Sequence, residues 1–114
     1  MSESSNDDPH QVAVEQLEAL GLSAYAARTY VALVGHGSGT AKSVSERADV
    51  PRTRVYDAAD ELSEWGLVEV EPSTPRRFVP VSADTASELL DEEFTRRINL
   101  VDDVLREIES IEEE

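Results

Sequence analysis

The run Val50-Pro51-Arg52-Thr53-Arg54-Val55-Tyr56-Asp57 gathers two guanidinium groups, a hydroxyl, a phenol and a carboxylate within eight residues. An arginine fork donates to guanine O6 and N7 or to a phosphate, and Thr and Tyr hydroxyls reach bases or backbone. Pro51 suits the first position of a helix, because its missing N–H costs nothing there. Asp57 follows Arg54 by three residues, placed to orient it or to accept from a cytosine amino group. At about 100° per residue, Val55, Ala58, Ala59, Leu62 and Trp65 gather on one face of such a helix. Thr53, Tyr56, Asp57, Asp60 and Glu64 point the other way, with Arg52 and Arg54 on the flanks. The outward face is basic at its start and acidic further on. Only an end-on approach would bring the first turn to a polyanion.

Further cations lie at Arg76 and Arg77, just past the turn Pro72-Ser73-Thr74-Pro75. From there they reach phosphates or a minor groove. A local alternative pairs Glu71 with Arg76 across a hairpin. Lys42 and Ser43, in the first turn of another helix, are candidate phosphate contacts or simply solvated surface. Other chemistry is thin. The chain has no cysteine, which excludes disulfides, thiolate metal sites and cysteine nucleophiles. His10 and His36 fall in polar segments without a metal-ligand pattern, and the acidic runs at 91–93 and 112–114 lack calcium-loop spacing. No phosphate-binding glycine loop and no nucleophile–base signature occurs. Neither an enzyme nor a cofactor is expected.

The elements that must hold these groups follow from apolar spacing. Residues 1–10 are polar and read as a disordered tail. Val14, Leu17 and Leu20 repeat at helical spacing, and Gly21 stops that helix. Ser23 caps a second helix running to about Gly35, with Ala27, Tyr30, Val31 and Val34 as its stripe. Thr40 caps a short third helix with Ala41, Val44 and Ala48 inward. The fourth starts at Pro51 and stops at Gly66. The runs 67–71 and 76–81 alternate and form a hairpin. From Ser82 no Gly or Pro interrupts a final helix, in which Phe94, Ile98, Val101, Leu105 and Ile108 are spaced as a heptad seam. Leu90 and Val104 widen it. The pattern predicts a mainly α fold with a small β-hairpin. It is a winged helix-turn-helix over 11–81, followed by a coiled-coil dimerisation helix over 82–114.

Charge constrains the setting. The chain of 114 residues has a formal net charge of −15, with 25 acids against 10 Lys and Arg. Residues 1–39 carry −4, residues 40–77 carry −2 and residues 78–114 carry −9. The arginine-bearing stretch therefore sits in the least anionic third. Lys42 is the one lysine, and scarce lysine with abundant carboxylates resembles the proteins of salt-loving archaea. Self-repulsion opposes compactness in dilute buffer and is muted when the Debye length shrinks to about 3 Å at 1 M salt. No apolar run suggests a membrane span and the start does not read as a signal peptide, so a cytoplasmic, nucleoid-associated protein is expected.

Residues 20–81 closely resemble the DNA-binding domain of TrmB-like archaeal transcriptional regulators, of a haloarchaeal type. The matching marks are Leu20-Gly21-Leu22-Ser23 with Tyr25 and Ala27, then Tyr30, Thr40-Ala41, Val50-Pro51-Arg52, Arg54-Val55-Tyr56-Asp57 and Gly66-Leu67-Val68. The resemblance covers roughly residues 17 to 90. It implies a winged-helix domain that binds promoter DNA, usually as a dimer. Two departures stand out. Members of that family often continue into a large sugar- or effector-binding domain, whereas this sequence stops after one helix, as a short regulator or a fragment. Ala59 stands where a larger aliphatic is usual.

The expected function is a sequence-specific, homodimeric DNA-binding transcriptional regulator, with helix 51–65 in the major groove and wing 67–81 on the backbone or minor groove. The competing reading is a winged-helix protein–protein module that scaffolds a complex without holding DNA. It would more naturally carry apolar residues in the first helical turn and wing. The charge balance makes one further prediction. Circular dichroism should show the protein loosening when salt falls well below about 1 M, and full structure at low salt would contradict that expectation.

Overall fold

The computed structural model describes residues 8–113. Its elements run α1 (Pro9–Ala19), α2 (Ala24–His36), α3 (Ala41–Ala48), α4 (Arg52–Glu64), β1 (Val68–Glu71), β2 (Arg77–Pro80) and α5 (Ala83–Glu113). This is a winged helix-turn-helix followed by a long C-terminal helix. The fold class agrees with the sequence pattern.

Side-chain caps set most of the helix starts, by satisfying N–H groups that a helix leaves open. The Ser23 hydroxyl accepts from the Ala26 amide at 3.1 Å. Thr40 and Ser43 form a reciprocal capping box at α3. Ser82 accepts from the Thr85 amide at 3.2 Å ahead of α5. Asp8 caps α1, so Pro9 and His10 are helical rather than part of a tail. Residues 1–7 of that expected tail lie outside the described residues. At α4 the outcome differs from expectation. Pro51 is the N-cap, with φ −56° and ψ 138°, and not the first helical residue. The Asp49 backbone turns left-handed (φ 56°, ψ 47°) at the end of α3, and Pro51 is still extended when it enters α4.

The core surrounds α2, which packs against α1, α3, α4 and β2. Ala26 and Ala27 of α2 are buried, as are Val55, Ala58, Ala59 and Leu62 of α4. The alanines among them allow close backbone approach. Tyr30 is buried as expected, but Val34 is 50% exposed and Leu33 is buried in its place. The reason is that α2 is enclosed on several sides, so its buried arc is broader than one stripe. Val34 falls at the margin, lining a groove with Leu20, Ala83 and Leu90. The Tyr30 hydroxyl donates to the Val81 carbonyl at 3.2 Å, and burial pushes its phenol above the usual tyrosine range.

In the wing, Val68 pairs with Pro80, Val70 with Phe78 and Glu71 with Arg77. Glu71 therefore faces Arg77, one residue from the Arg76 partner considered above. A third backbone segment joins the hairpin. Gly39 and Phe78 exchange two hydrogen bonds, Gly39 N to Phe78 O at 3.0 Å and Phe78 N to Gly39 O at 2.7 Å. This bridge ties the wing to the start of α3. A Cβ at Gly39 would lie 2.8 Å from the Ser43 Oγ, 3.2 Å from Val44 Cγ2 and 3.3 Å from Leu33 Cδ2. The Ser43 hydroxyl is held by its cap, and Val44 and Leu33 are buried, so none yields freely.

α5 begins on the core through Ala86, Leu89 and Leu90. Leu90, expected in the dimer seam, is thus partly covered by its own domain. Arg97 lies 5.9 Å over the Trp65 ring and donates to Glu93 at 2.8 Å. Hydrogen bonding from Arg96, with help from Arg97, holds the Glu93 carboxyl below the usual range. Beyond this anchor Phe94, Ile98, Val101, Val104, Leu105 and Ile108 are 44–55% exposed.

Gly39→Ala should cost about 1–3 kcal/mol by overpacking. Denaturant unfolding at fixed high salt checks this, and wild-type stability would show that the site gives way.

Candidate nucleic-acid interface

Burial of Val55, Ala58, Ala59 and Leu62 fixes the rotation of α4, and this leaves Arg52, Thr53, Arg54, Tyr56 and Asp57 exposed. No side-chain hydrogen bond caps the helix start. Pro51 offers its carbonyl to the Arg54 and Val55 amides at 2.8 and 3.2 Å. The amides of Arg52 and Thr53 come before the first of these bonds. Open amides and the positive end of the helix dipole together suit an anion such as phosphate.

Arg54 Nη1 lies 3.4 Å from Asp57 Oδ2, with both side chains largely exposed. Such a pair adds little stability but restricts where the guanidinium points. Arg52 forms no ion pair among the described residues. Asp60 and Glu64 are exposed farther along the helix, away from the basic first turn.

Tyr56 connects this helix to the wing, a role the spacing did not reveal. Its ring meets Phe78 edge-on at 6.3 Å between centroids. The Arg76 guanidinium lies 5.7 Å from the same ring, within cation–π range. Arg76 is thereby drawn toward α4. Arg77, the first residue of β2, turns elsewhere and donates to the Ser38 hydroxyl. Lys42 is exposed at the start of α3. Ser43 is committed to structure. Its hydroxyl accepts from the Thr40 amide at 3.0 Å and donates to the Thr40 carbonyl at 3.1 Å. The expected surface of Arg52, Thr53, Arg54, Tyr56, Asp57 and Arg76 is brought together. Pro51 stands at its edge, and Ser43 supports α3 rather than offering a free hydroxyl.

Sequence spacing also missed Glu61. Its carboxylate accepts from the Ser23 amide at 2.9 Å and from the Ser23 hydroxyl at 2.7 Å. The same hydroxyl caps α2, so Glu61 locks the start of α2 onto α4. The partners are 38 residues apart, and no local pattern signals them.

Comparison with known proteins bears on this arrangement. Residues 17–84 match the family described as sugar-specific transcriptional regulator TrmB. The chain belongs to the TrmB family. It is 27% identical over 95 residues to the HTH-type sugar sensing transcriptional regulator TrmBL1 of Pyrococcus furiosus, covering 83% of this chain and 28% of that protein. It is 33% identical over 81 residues to the DNA-binding HTH-type transcriptional repressor TrmBL2 of Thermococcus kodakarensis, covering 71% of this chain and 31% of the relative. The chain thus spans less than a third of either relative's length. A solved structure of TrmBL2, described as an archaeal chromatin protein with a novel mode of DNA binding, superposes with a TM-score of 0.79. The identity is 25%, over 89% of this chain and 40% of that one. A MarR family regulator from Silicibacter pomeroyi shares the fold at a TM-score of 0.54 and 17% identity, covering 96% of this chain and 88% of its own. The matched region of this TrmB-family chain is thus shared with relatives that are described as transcriptional regulators.

Tyr56→Ala should speed hydrogen exchange in wing residues 68–80 while α2 amides stay protected. Tyr56→Phe should leave the wing unchanged. Equal protection in both variants would show that the ring does not support the wing.

Proposed function

We propose that this TrmB-family chain is a sequence-specific regulator that binds double-stranded DNA as a homodimer. The first turn of α4 enters the major groove and the wing rests on the backbone or minor groove. The observation that carries this reading is the uncapped, exposed start of α4. Arg52 and Arg54 flank it, and Arg76 is held beside it on Tyr56. Arg52 and Arg54 take guanine edges or phosphates, Thr53 and Tyr56 reach base or backbone, and Asp57 orients Arg54. Lys42 and Arg77 add phosphate contacts at the margins. The charged, polar first turn does not favour a scaffold module. The named relatives are DNA-binding or sugar-sensing regulators, which supports the same conclusion.

The dimer rests on α5. Phe94, Ile98, Val101, Leu105 and Ile108 keep heptad spacing and are 47–55% exposed along one helix, a face that coiled-coil pairing would cover. Two copies would present their α4 helices to half-sites about 34 Å apart. Because the working charge is confined to a few arginines, short-range contacts rather than long-range attraction decide affinity at high salt.

Arg52→Ala or Arg54→Ala should weaken specific binding by about 1–3 kcal/mol for each lost base contact, with an unchanged circular dichroism spectrum. Unaltered affinity in both variants would remove the groove assignment. Replacing Ile98 and Leu105 together by Asp should give monomers by light scattering, and a persisting dimer would refute the α5 seam.

A further inference from the structure

Away from the first turn of α4, the helices α1, α2 and α3 line an open cleft of about 390 Å³, within the size range of small-molecule sites. Its wall holds both histidines of the chain, His10 and His36, together with Arg28 and Arg47. Val14, Val31 and Ala48 add apolar surface. In a chain of net charge −15, this gathering of cations and imidazoles stands apart from the DNA-facing arginines.

The acids in the wall are unequal. Asp8 is engaged, accepting from the His10 amide at 3.1 Å and lying 3.5 Å from His10 Nδ1. That contact turns the other edge of the ring toward α2, where a Cβ on Gly35 would sit 3.8 Å from Nε2. Glu18 is the remaining carboxylate. Neither Arg28 nor Arg47 is paired with an acid among the described residues. Arg28 instead lies 5.9 Å over the Tyr25 ring.

We infer that this cleft binds a small organic oxyanion, a carboxylate or phosphate ester of few carbons, held by Arg28 and Arg47. Guanidinium forks match both headgroups in two-point geometry. The imidazoles supply further polar partners, and the Val14, Val31 and Ala48 surface takes the carbon skeleton, which favours an organic anion over inorganic phosphate. The site needs no DNA and stands independently of the proposed function. Arg47 and Ala48 end α3 directly before the left-handed turn at Asp49, so an occupant touches the segment that leads into α4.

The test titrates glycerol 3-phosphate, butyrate and inorganic phosphate into the full chain at one fixed KCl concentration, read by amide chemical shifts. Glycerol 3-phosphate or butyrate should shift amides of residues 8–18, 28–36 and 47–48 saturably, and whichever binds identifies the headgroup. Inorganic phosphate should bind at least tenfold more weakly. Arg28→Gln and Arg47→Gln should each weaken binding at least tenfold, with unfolding midpoints confirming that both fold. Arg28→Lys and Arg47→Lys, which keep the charge but lose the fork, should fall between and serve if a Gln variant unfolds. Glu18→Gln should tighten binding. The inference is overturned by no saturation with either organic anion below about 10 mM, or by undiminished binding in the arginine variants. Equal binding of inorganic phosphate also overturns it, as does weaker binding in Glu18→Gln, because removing a carboxylate from the wall should only favour an anion.

Discussion

The seating of α4 on α2 governs the rest of the molecule. Both helices carry buried alanines, Ala26 and Ala27 on α2 and Ala58 and Ala59 on α4, and small side chains let packed helices approach closely. Val55 and Leu62, both fully buried, each add about 1.5–3 kcal/mol of burial. The Glu61–Ser23 hydrogen bonds resist sliding along the contact. With the rotation of α4 set, Arg52 and Arg54 must face outward at its start, while Asp60 and Glu64 must face outward farther along. A helix free to turn would mix the two charge signs at one surface.

The wing is positioned by the same frame. Phe78 is buried and joins the Gly39 backbone, the core and the Tyr56 ring. Because Arg76 lies against that ring, this cation of the wing and the arginines of α4 share a surface. A residue without a side chain at position 39 is what lets α3, β2 and the loop before α3 meet. The division of charge follows, with a basic patch on a rigid frame and most of the net negative charge, −9 of −15, on residues 78–114. Screening by salt matters more for the acidic arm than for contacts at van der Waals distance.

Much of this was legible in the sequence because it is local. Ser23, Thr40 and the glycines marked the helix ends, and the period of Val55, Ala58, Ala59 and Leu62 told the buried face of α4 from the exposed one. The α5 heptad spacing was equally plain, although Leu90 turned out to rest partly on its own domain. What escaped was long-range. Glu61 read as one more acid on a solvated helix, yet it binds an N-cap 38 residues away. Tyr56 read as a groove contact, yet its ring also supports the wing. The Gly39 bridge is a single residue of pairing, too short for any alternating pattern. Val34 fitted a one-sided stripe, but α2 is a central helix enclosed on several sides, and a stripe does not describe such a helix.

The chain's relatives include a regulator described as sugar sensing and a TrmBL2 structure described as a chromatin protein. These are different ways to use a winged helix. In the function proposed above, the exposed Arg52, Thr53 and Arg54 at the start of α4 serve regulation at chosen sites. Mapping the protein's occupancy across its genome at native salt tests that claim most directly. Discrete peaks sharing a motif of two half-sites about one helical turn apart are expected. Even coverage without a shared motif would contradict it.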